Sequence, residues 1–153
     1  MNHSRKLLIH VLFVMTLLIL VRCVEATTVN FSVDGGEEVT KNIGLAVEDR
    51  VLIKFTVVGI SDKTLYFYMT YPNGTVNKFG NVGSFHYSFV CDAEGEYILH
   101  FSNLNSTETK HVTLDYEVQH YIFGIPQMLF LTIIIVVVCM MAVAAFILMG
   151  KPR

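Results

Sequence analysis

The stretch Val51-Leu52-Ile53-Lys54-Phe55-Thr56-Val57 decides the fold class of the chain. Large apolar side chains occupy every second position, and a period of two is typical of a β-strand that buries one face. An amphipathic helix would instead repeat its apolar positions every three or four residues. The stretch therefore predicts a half-buried strand with Val51, Ile53, Phe55 and Val57 facing a core.

Neighbouring segments repeat this alternation. Residues 64–71 place alternate side chains on opposite faces, and the turn Pro72-Asn73-Gly74 follows, because proline fixes φ and glycine accepts positive φ. Residues 76–79 would return as the partner strand, whereas residues 37–46 are less regular and predict one or two short strands. The other apolar rows are Val29, Phe31 and Val33; Phe85, Tyr87, Phe89 and Cys91; Tyr97, Leu99 and Phe101; and Val112, Leu114, Tyr116 and Val118.

The number and spacing of these segments predict the architecture. About seven or eight short strands, separated by turn signals every 8–12 residues or so, are typical of an antiparallel β-sandwich. No segment between residues 27 and 121 shows a helical period, low complexity or an internal repeat. We therefore predict one all-β domain over residues 27–121.

Two apolar runs flank this domain. Residues 7–21 follow Arg5 and Lys6 and lead to Val24-Glu25-Ala26, a pattern behind which signal peptidase cuts, so residues 1–26 predict a signal peptide cleaved after Ala26. Residues 128–149 carry no charge and meet the length of about 20 apolar residues that a bilayer core requires. They predict a transmembrane helix, joined to the domain by a linker over residues 122–127.

The charges beside the second run predict the orientation. Lys151 and Arg153 lie in the tail, residues 150–153, and basic residues stay on the cytoplasmic side of a membrane. The signal peptide requires the same topology. We therefore predict a single-pass type I membrane protein held in the bilayer by residues 128–149. Its domain would be extracytoplasmic, at a cell surface or in the lumen of the secretory pathway, and its C-terminus cytoplasmic.

The charge balance excludes one class of partner. The domain carries twelve acidic side chains against six basic ones, so a phosphate backbone would be repelled and nucleic-acid binding is not expected. No nucleophile elbow, phosphate-cradling glycine loop, HExxH motif or paired-carboxylate signature is present. The sequence therefore predicts a protein that is not an enzyme and uses no cofactor, with its Lys and Asp residues scattered over outward positions.

Cysteine and histidine usage favours structural roles. Cys91 is the one cysteine between residues 27 and 121, and its parity with Phe89 predicts a buried, apolar thiol rather than a bond between chains. The histidines of the domain share parity with polar neighbours, which predicts solvated rings and no zinc site. The acidic turn of Asp92, Glu94 and Glu96 lacks the regularly spaced oxygen ligands of a calcium loop. These histidines are His86, His100, His111 and His120.

Three Asn-x-Ser/Thr sequons are candidate glycosylation sites. Asn73 and Asn105 fall in predicted turns, where a glycan is readily accommodated. Asn30 lies in a predicted strand, where occupancy is less favoured. Glycosylation would also require a compartment that supplies the modification.

Outward tyrosines beside the Pro72-Asn73-Gly74 turn give the candidate partner-binding patch. Tyr66, Tyr68 and Tyr71 would lie together there, and binding by a sheet edge or a loop end is common for such folds. The alternative is that these rings pack against the second sheet. Sequence alone leaves both interpretations open.

The order of the strands resembles a known module, the Golgi-dynamics (GOLD) domain of the transmembrane emp family of vesicle cargo receptors. The resemblance is carried by residues 51–57, by Leu65-Tyr66-Phe67-Tyr68-Met69 with the turn after it, and by Val112-Thr113-Leu114-Asp115-Tyr116-Glu117-Val118. The closest match is Phe85-His86-Tyr87-Ser88-Phe89 followed by Gly95-Glu96-Tyr97-Ile98-Leu99-His100-Phe101-Ser102-Asn103. It implies a GOLD or jelly-roll-like sandwich and a type I topology.

The chain departs from the family in three features. Its domain has a single cysteine, Cys91, where family members have a sandwich disulfide. The chain lacks their helical segment before the membrane, and Gly150-Lys151-Pro152-Arg153 holds no aromatic or dibasic coat-binding signal. The resemblance therefore implies fold and topology, and a minimal adaptor rather than a receptor that recruits coats.

Two functional hypotheses follow. In the first, the outward sandwich binds a protein, lipid or glycan partner, as a cargo-receptor-like or trafficking-like adaptor. In the second, the protein is a structural accessory subunit of a membrane or cell-envelope complex, held by its transmembrane helix. Small residues in that helix, Ala142, Ala144 and Ala145, would permit close helix packing in a homo- or hetero-oligomer.

Overall fold

The computed structural model describes Phe13 and residues 26–149. The predicted signal peptide up to residue 25, apart from Phe13, and the predicted tail, residues 150–153, lie outside the described residues. Ala26, the residue before the predicted cleavage point, is the first residue of a strand.

Eight antiparallel strands form two four-stranded sheets. One sheet has the order β1-β8-β3-β6 and the other β2-β7-β4-β5. Strands that are neighbours in a sheet are distant in sequence, as β1 and β8 are, and this interleaving of two Greek keys is the jelly-roll arrangement. The strands are β1 (Ala26–Val33), β2 (Glu38–Leu45), β3 (Arg50–Val58), β4 (Leu65–Thr70), β5 (Val76–Val82), β6 (Ser84–Val90), β7 (Gly95–Ser102) and β8 (Lys110–Gln119).

The predicted antiparallel sandwich is confirmed, and so are its inward rows. Val51, Ile53, Phe55 and Val57 of β3 are all buried, in alternation with more exposed residues. The irregular segment 37–46, for which one or two short strands were predicted, forms one strand of eight residues, β2. Its hydrogen bonds come from β7, which pairs with it along its whole length.

Aromatic rings fill the space between the sheets. Phe67 of β4 is fully buried and contacts the rings of Phe55, Phe79, Phe85 and Phe101, with centroid distances between 4.8 and 5.3 Å. Edge-to-face and offset contacts of this kind add to the free energy gained by burying the rings. The core therefore centres on Phe67.

Because the strands are antiparallel, the loops that connect them lie at the two opposite ends of the sandwich. We define the loop end as the end at which β8 begins; it carries residues 34–37, 59–64 and 103–109. The opposite end carries the turn after β4, where Gly74 has φ of 81° and the Asn73 side chain accepts a hydrogen bond from the Thr75 amide at 2.9 Å. The chain leaves the sandwich at this opposite end, after Gln119.

The segment after the sandwich contains one long helix. Two-residue strands β9 (Tyr121–Ile122) and β10 (Ile125–Pro126) precede α1 (Gln127–Met149). Residues Gln127–Ala145 have a mean hydropathy of 3.0, and within the described residues α1 is the one helix long and apolar enough to cross a membrane. The hydroxyl of Thr132 donates to the Met128 carbonyl at 2.7 Å, which satisfies this polar group inside the helix.

Candidate binding surface

The outer face of the sheet β2-β7-β4-β5 carries a cluster of aromatic and polar side chains. Because Phe67 points into the core, its neighbours Tyr66 and Tyr68 point outward, and their ring centroids lie 6.1 Å apart. Register places Tyr68 opposite His100 of β7. We name Tyr66, Tyr68, His100 and Glu38 of β2 the aromatic face.

Tyr68, His100 and Glu38 hold one another in place. The Tyr68 and His100 rings stack with centroids 4.1 Å apart and an interplanar angle of 9°. The Tyr68 hydroxyl donates to the Glu38 carboxylate at 2.9 Å, and His100 Nδ1 contacts the same carboxylate at 2.9 Å. These contacts, from three different strands, fix the rotamers of both rings.

The protonation of Tyr68 follows from this packing. Burial, and after it the hydrogen bond to Glu38, raise the pKa of the Tyr68 phenol to about 12. Tyr68 therefore stays a neutral hydroxyl over the physiological pH range. The aromatic face presents stacked rings held by a single anchored carboxylate.

Tyr71 does not belong to the aromatic face. Its side chain packs against the core, where its ring meets that of buried Tyr97 at 5.3 Å in an edge-to-face contact. Tyr71 continues the inward parity of Leu65, Phe67 and Met69, so the structure brings together only Tyr66 and Tyr68 of the predicted patch.

His100 also completes a chain of contacts that resembles a hydrolase triad. Its Nε2 lies 3.0 Å from the Thr70 hydroxyl and its Nδ1 lies 2.9 Å from Glu38 Oε1. Acyl transfer further requires backbone amides aimed at a developing oxyanion. Thr70 instead lies on β4, whose amides are engaged in pairing with β5 and β7 on both sides. The contacts of His100 hold the Tyr68 and His100 rings in place.

A cleft of about 280 Å³ opens at the loop end, beside Tyr66. Register sets Tyr66 opposite Asn81 of β5 on one side and Ser102 of β7 on the other, and these residues form its floor. Its walls come from the loops before β4 and after β7. The cleft is lined by Asp62, Thr64, Tyr66, Asn81, Ser102, Asn103, Leu104, Asn105, Ser106 and Lys110.

A buried lysine supports the cleft. The Lys110 side chain is 3% exposed, and its ammonium donates to Asp62 Oδ2 at 3.0 Å and to the Thr64 carbonyl. This hydrogen bond is the main reason that the pKa of Asp62 lies below its usual range, so Asp62 is ionised at neutral pH. The expectation that Lys and Asp lie at outward positions was wrong for Lys110 and for Asp49, which is 1% exposed.

Hydrogen bonds tie the loops of the cleft to each other. The buried Asn103 amide donates to the carbonyls of Val33, Asp34 and Glu108 at 3.1, 3.2 and 2.7 Å. The Ser61 hydroxyl and amide both donate to the Glu108 carboxylate, which lowers the pKa of Glu108. The loop end is therefore fixed in shape by buried and bridging polar groups.

The three sequon asparagines are exposed and lie far apart in the fold. Asn105 lines the cleft, Asn73 occupies the turn at the opposite end, and Asn30 lies on β1, where its side-chain oxygen accepts a hydrogen bond from Thr113 at 2.8 Å. Glycosylation of each remains a prediction. At Asn105 a glycan would stand directly beside the cleft.

The remaining predicted residues take structural positions. Cys91 is buried, as predicted, and its thiol donates to the Ala93 carbonyl at 3.1 Å. His86, His111 and His120 are exposed, but the prediction of a solvated ring was wrong for His100, which is 16% exposed under Tyr68. Among the residues that the structure describes, no three His, Cys, Asp or Glu side chains converge as a metal site would require.

The sequence did not indicate the residues that shape the aromatic face and the cleft. Glu38 and His100 come together only because β2 and β4 flank β7, and pairing order is not visible in a period of two. Asn81 faces outward because a bulge between Phe67 and Tyr68 shifts the pairing with β5. Gly80, with φ of 85°, is the one sequence signal that could have indicated this bulge.

Comparison with known proteins gives structural likenesses only. No protein-family model matches the chain, and no curated protein matches it. The crystal structure of Aeromonas hydrophila PliG, a periplasmic lysozyme inhibitor of g-type lysozyme, is similar over 63% of this chain and 88% of that one, with 13% identity and a TM-score of 0.47.

Two further solved structures are similar to a comparable degree. The Yersinia pseudotuberculosis-derived mitogen covers 65% of this chain and 91% of its own, with 15% identity and a TM-score of 0.44. A de novo designed double-stranded β-helix covers 60% of this chain and 99% of its own, with 14% identity and a TM-score of 0.39. At these values the likenesses assign no activity or partner to this chain.

Proposed function

We propose that this protein is a membrane-tethered recognition module, without enzymatic activity, whose aromatic face binds a protein partner outside the cytoplasm. The observation that carries the proposal is the Tyr68–His100 stack, closed by the hydrogen bonds of both rings to Glu38. The proposal also rests on the apolar helix α1, which would hold the sandwich at a membrane.

Rigid tyrosines suit protein recognition for two physical reasons. A tyrosine offers a large apolar ring and a polar tip, which is why tyrosine is enriched among the residues that dominate binding energy. Ordering a flexible side chain costs about 0.5–1.5 kcal/mol on binding, and a side chain that is already held avoids much of this cost. Tyr68 meets both conditions.

The resemblance to the GOLD module supports a narrower version of the proposal. A type I protein with a lumenal sandwich would collect a cargo protein as a minimal adaptor. The order of the strands in the sequence, the predicted signal peptide and the apolar helix near the C-terminus support this version. The identity of the partner would test it. A secreted or membrane protein in transit would fit this version, whereas a resident envelope subunit would favour the accessory-subunit hypothesis.

The partner can be sought with a photocrosslinking amino acid placed beside the aromatic face. Lys78 is exposed and pairs with Tyr68, so a photoreactive residue at position 78 leaves the stack intact. Lys54, exposed on the outer face of the other sheet, is the matched control. In native membranes we expect position 78, but not position 54, to form a discrete crosslink to one protein.

The substitution Tyr68→Ala then tests the role of the ring. A residue that dominates an interface contributes about 2 kcal/mol or more, so Tyr68→Ala should weaken partner binding about thirtyfold. His86→Ala, on the opposite outer face, should leave the affinity unchanged. Equal crosslinking from positions 54 and 78, or unchanged binding by Tyr68→Ala, would contradict the proposal.

A further inference from the structure

The cleft at the loop end has the properties of a ligand site that is separate from the protein-binding role of Tyr68. Its volume of about 280 Å³ falls just below the range of about 300–1,000 Å³ of sites for drug-sized ligands. A ligand of this size is a single small ring rather than a peptide. Asn103, Glu108 and Lys110 already hold its walls, so binding would require little ordering.

The charges in the cleft favour a neutral ligand. Lys110 and Asp62 are the charged residues among those that line it, and they form an ion pair at 3.0 Å. An anion would meet a lysine that already donates to Asp62 and to the Thr64 carbonyl. A cation would meet a carboxylate that Lys110 already neutralises. Neither ion would find an unpaired counter-charge.

The other polar groups of the cleft are suited to hydrogen bonds with the hydroxyl groups of a ligand. Within residues 26–149, the amides of Asn81 and Asn105 and the hydroxyl of Tyr66 form no side-chain hydrogen bonds to other described residues, and all three line the cleft. A side-chain amide both donates and accepts, as a sugar hydroxyl does. The Asp62 carboxylate, more than half exposed, already accepts from Lys110 and from the amide and hydroxyl of Thr64, which leaves one of its about four lone-pair sites for a ligand hydroxyl.

An aromatic ring adds an apolar packing surface to these polar groups of the cleft. Tyr66 lies between Asn81 and Ser102 in a row across the sheet, and its half-buried ring borders the cleft. One face of a pyranose ring is formed by C–H groups, which pack on an aromatic surface while the hydroxyls at the rim reach polar partners. The sheet bulge at Gly80 is what turns Asn81 to the same side as Tyr66.

We propose that this cleft binds a single neutral sugar unit, with the Tyr66 ring as its platform and Asn81, Asn105 and Asp62 as partners of its hydroxyls. The sugar can come from two sources. It can be a glycan on another molecule, or the protein's own glycan on Asn105, whose sequon Asn105-Ser106-Thr107 stands at the edge of the cleft. In the second case Asn105 is the attachment point, and Asn81 and Asp62 are the partners of the hydroxyls.

The test uses the full-length chain in phosphatidylcholine nanodiscs, because glucoside and maltoside detergents would themselves occupy a sugar site. Protein made in a host that does not glycosylate asparagine is titrated with methyl glycosides of neutral hexoses and N-acetylhexosamines, and binding is read by saturation-transfer NMR. We expect saturable binding in the millimolar range to at least one of them.

Two asparagines on the same strand give a matched pair of variants. Asn81→Ala removes a cleft residue that is exposed, so the fold should be kept, and it should weaken sugar binding about fivefold through the loss of hydrogen bonds. Asn77→Ala, at the other end of β5, should leave the affinity unchanged. The absence of saturable binding to any glycoside, or equal affinities of the wild-type chain and Asn81→Ala, would overturn the proposal.

Two further experiments are needed. One distinguishes the two sources of the sugar, and the other separates sugar binding by the cleft from protein binding by the aromatic face. In a glycosylating host, loss of binding by the wild-type chain and its return in Thr107→Ala would assign the cleft to the protein's own glycan. Binding by both chains would assign it to an external glycan. Tyr68→Ala should leave sugar binding intact, and Asn81→Ala should leave capture of the protein partner intact, so that each proposal can fail alone.

Discussion

Replacing Phe67 by alanine is expected to lower the free energy of unfolding of the sandwich by about 4 kcal/mol. Phe67 is fully buried and contacts four other phenylalanine rings, drawn from both sheets. Alanine would remove these contacts and leave a cavity that rigid neighbouring rings cannot fill. Phe85 contacts as many aromatic rings but is only partly buried, so Phe67 is the fully buried centre of this cluster.

Thermal unfolding followed by circular dichroism of the full-length chain measures this effect. For a sandwich of this size, a loss of 4 kcal/mol corresponds to a fall in Tm of about 20 °C. Tyr66→Ala is the control, since it removes a ring from the same strand but from the outer face, and it should cost about 1 kcal/mol. Equal losses for the two variants would show that the core does not centre on Phe67.

Removing α1 is expected to release the protein from the membrane fraction. Residues Gln127–Ala145 contain ten Leu, Ile, Val and Phe side chains, each favouring membrane insertion by about 0.3–0.6 kcal/mol, or about 3–6 kcal/mol together. A chain that ends at residue 126 should move from the carbonate-resistant pellet to the supernatant. A truncated chain that stays in the pellet would indicate anchorage by the N-terminal apolar run instead of its cleavage.

Exchanging α1 for an unrelated apolar helix separates the two functional hypotheses. The chimaera should remain in the membrane and should still form the crosslink from position 78, because the aromatic face lies wholly within the sandwich. Loss of the crosslink after the exchange would support the accessory-subunit hypothesis, in which α1 is itself the interface.

The sequence predicted which face of each strand is buried better than it predicted which strands pair with each other. A period of two identifies which side chains point inward, and Val51, Ile53, Phe55 and Val57 are buried as that period requires. It carries no information on pairing, so the order β1-β8-β3-β6 was not predictable. The aromatic face depends on that order, because Glu38 reaches His100 only through the pairing of β2 with β7.

Buried polar groups were the hardest feature to predict. Lys110 follows a polar loop and begins a strand, which resembles a solvated position in the sequence. Its burial is stabilised by Asp62, 48 residues earlier in the chain, and by the Thr64 carbonyl. Tyr71 was predicted to point outward, but it packs on Tyr97 in the core. It continues the inward parity of β4 beyond the last residue of that strand.

Labelling of intact cells with a membrane-impermeant maleimide tests most directly whether the sandwich lies on the non-cytoplasmic side of its membrane. Thr56→Cys places a thiol at an exposed position of β3, whereas the native thiol of Cys91 is buried and that of Cys139 lies within α1. We expect Thr56→Cys to be labelled in intact cells, or in vesicles that expose the lumenal face, and the parent chain to remain unlabelled. Labelling of Thr56→Cys only from the cytoplasmic side would contradict this expectation.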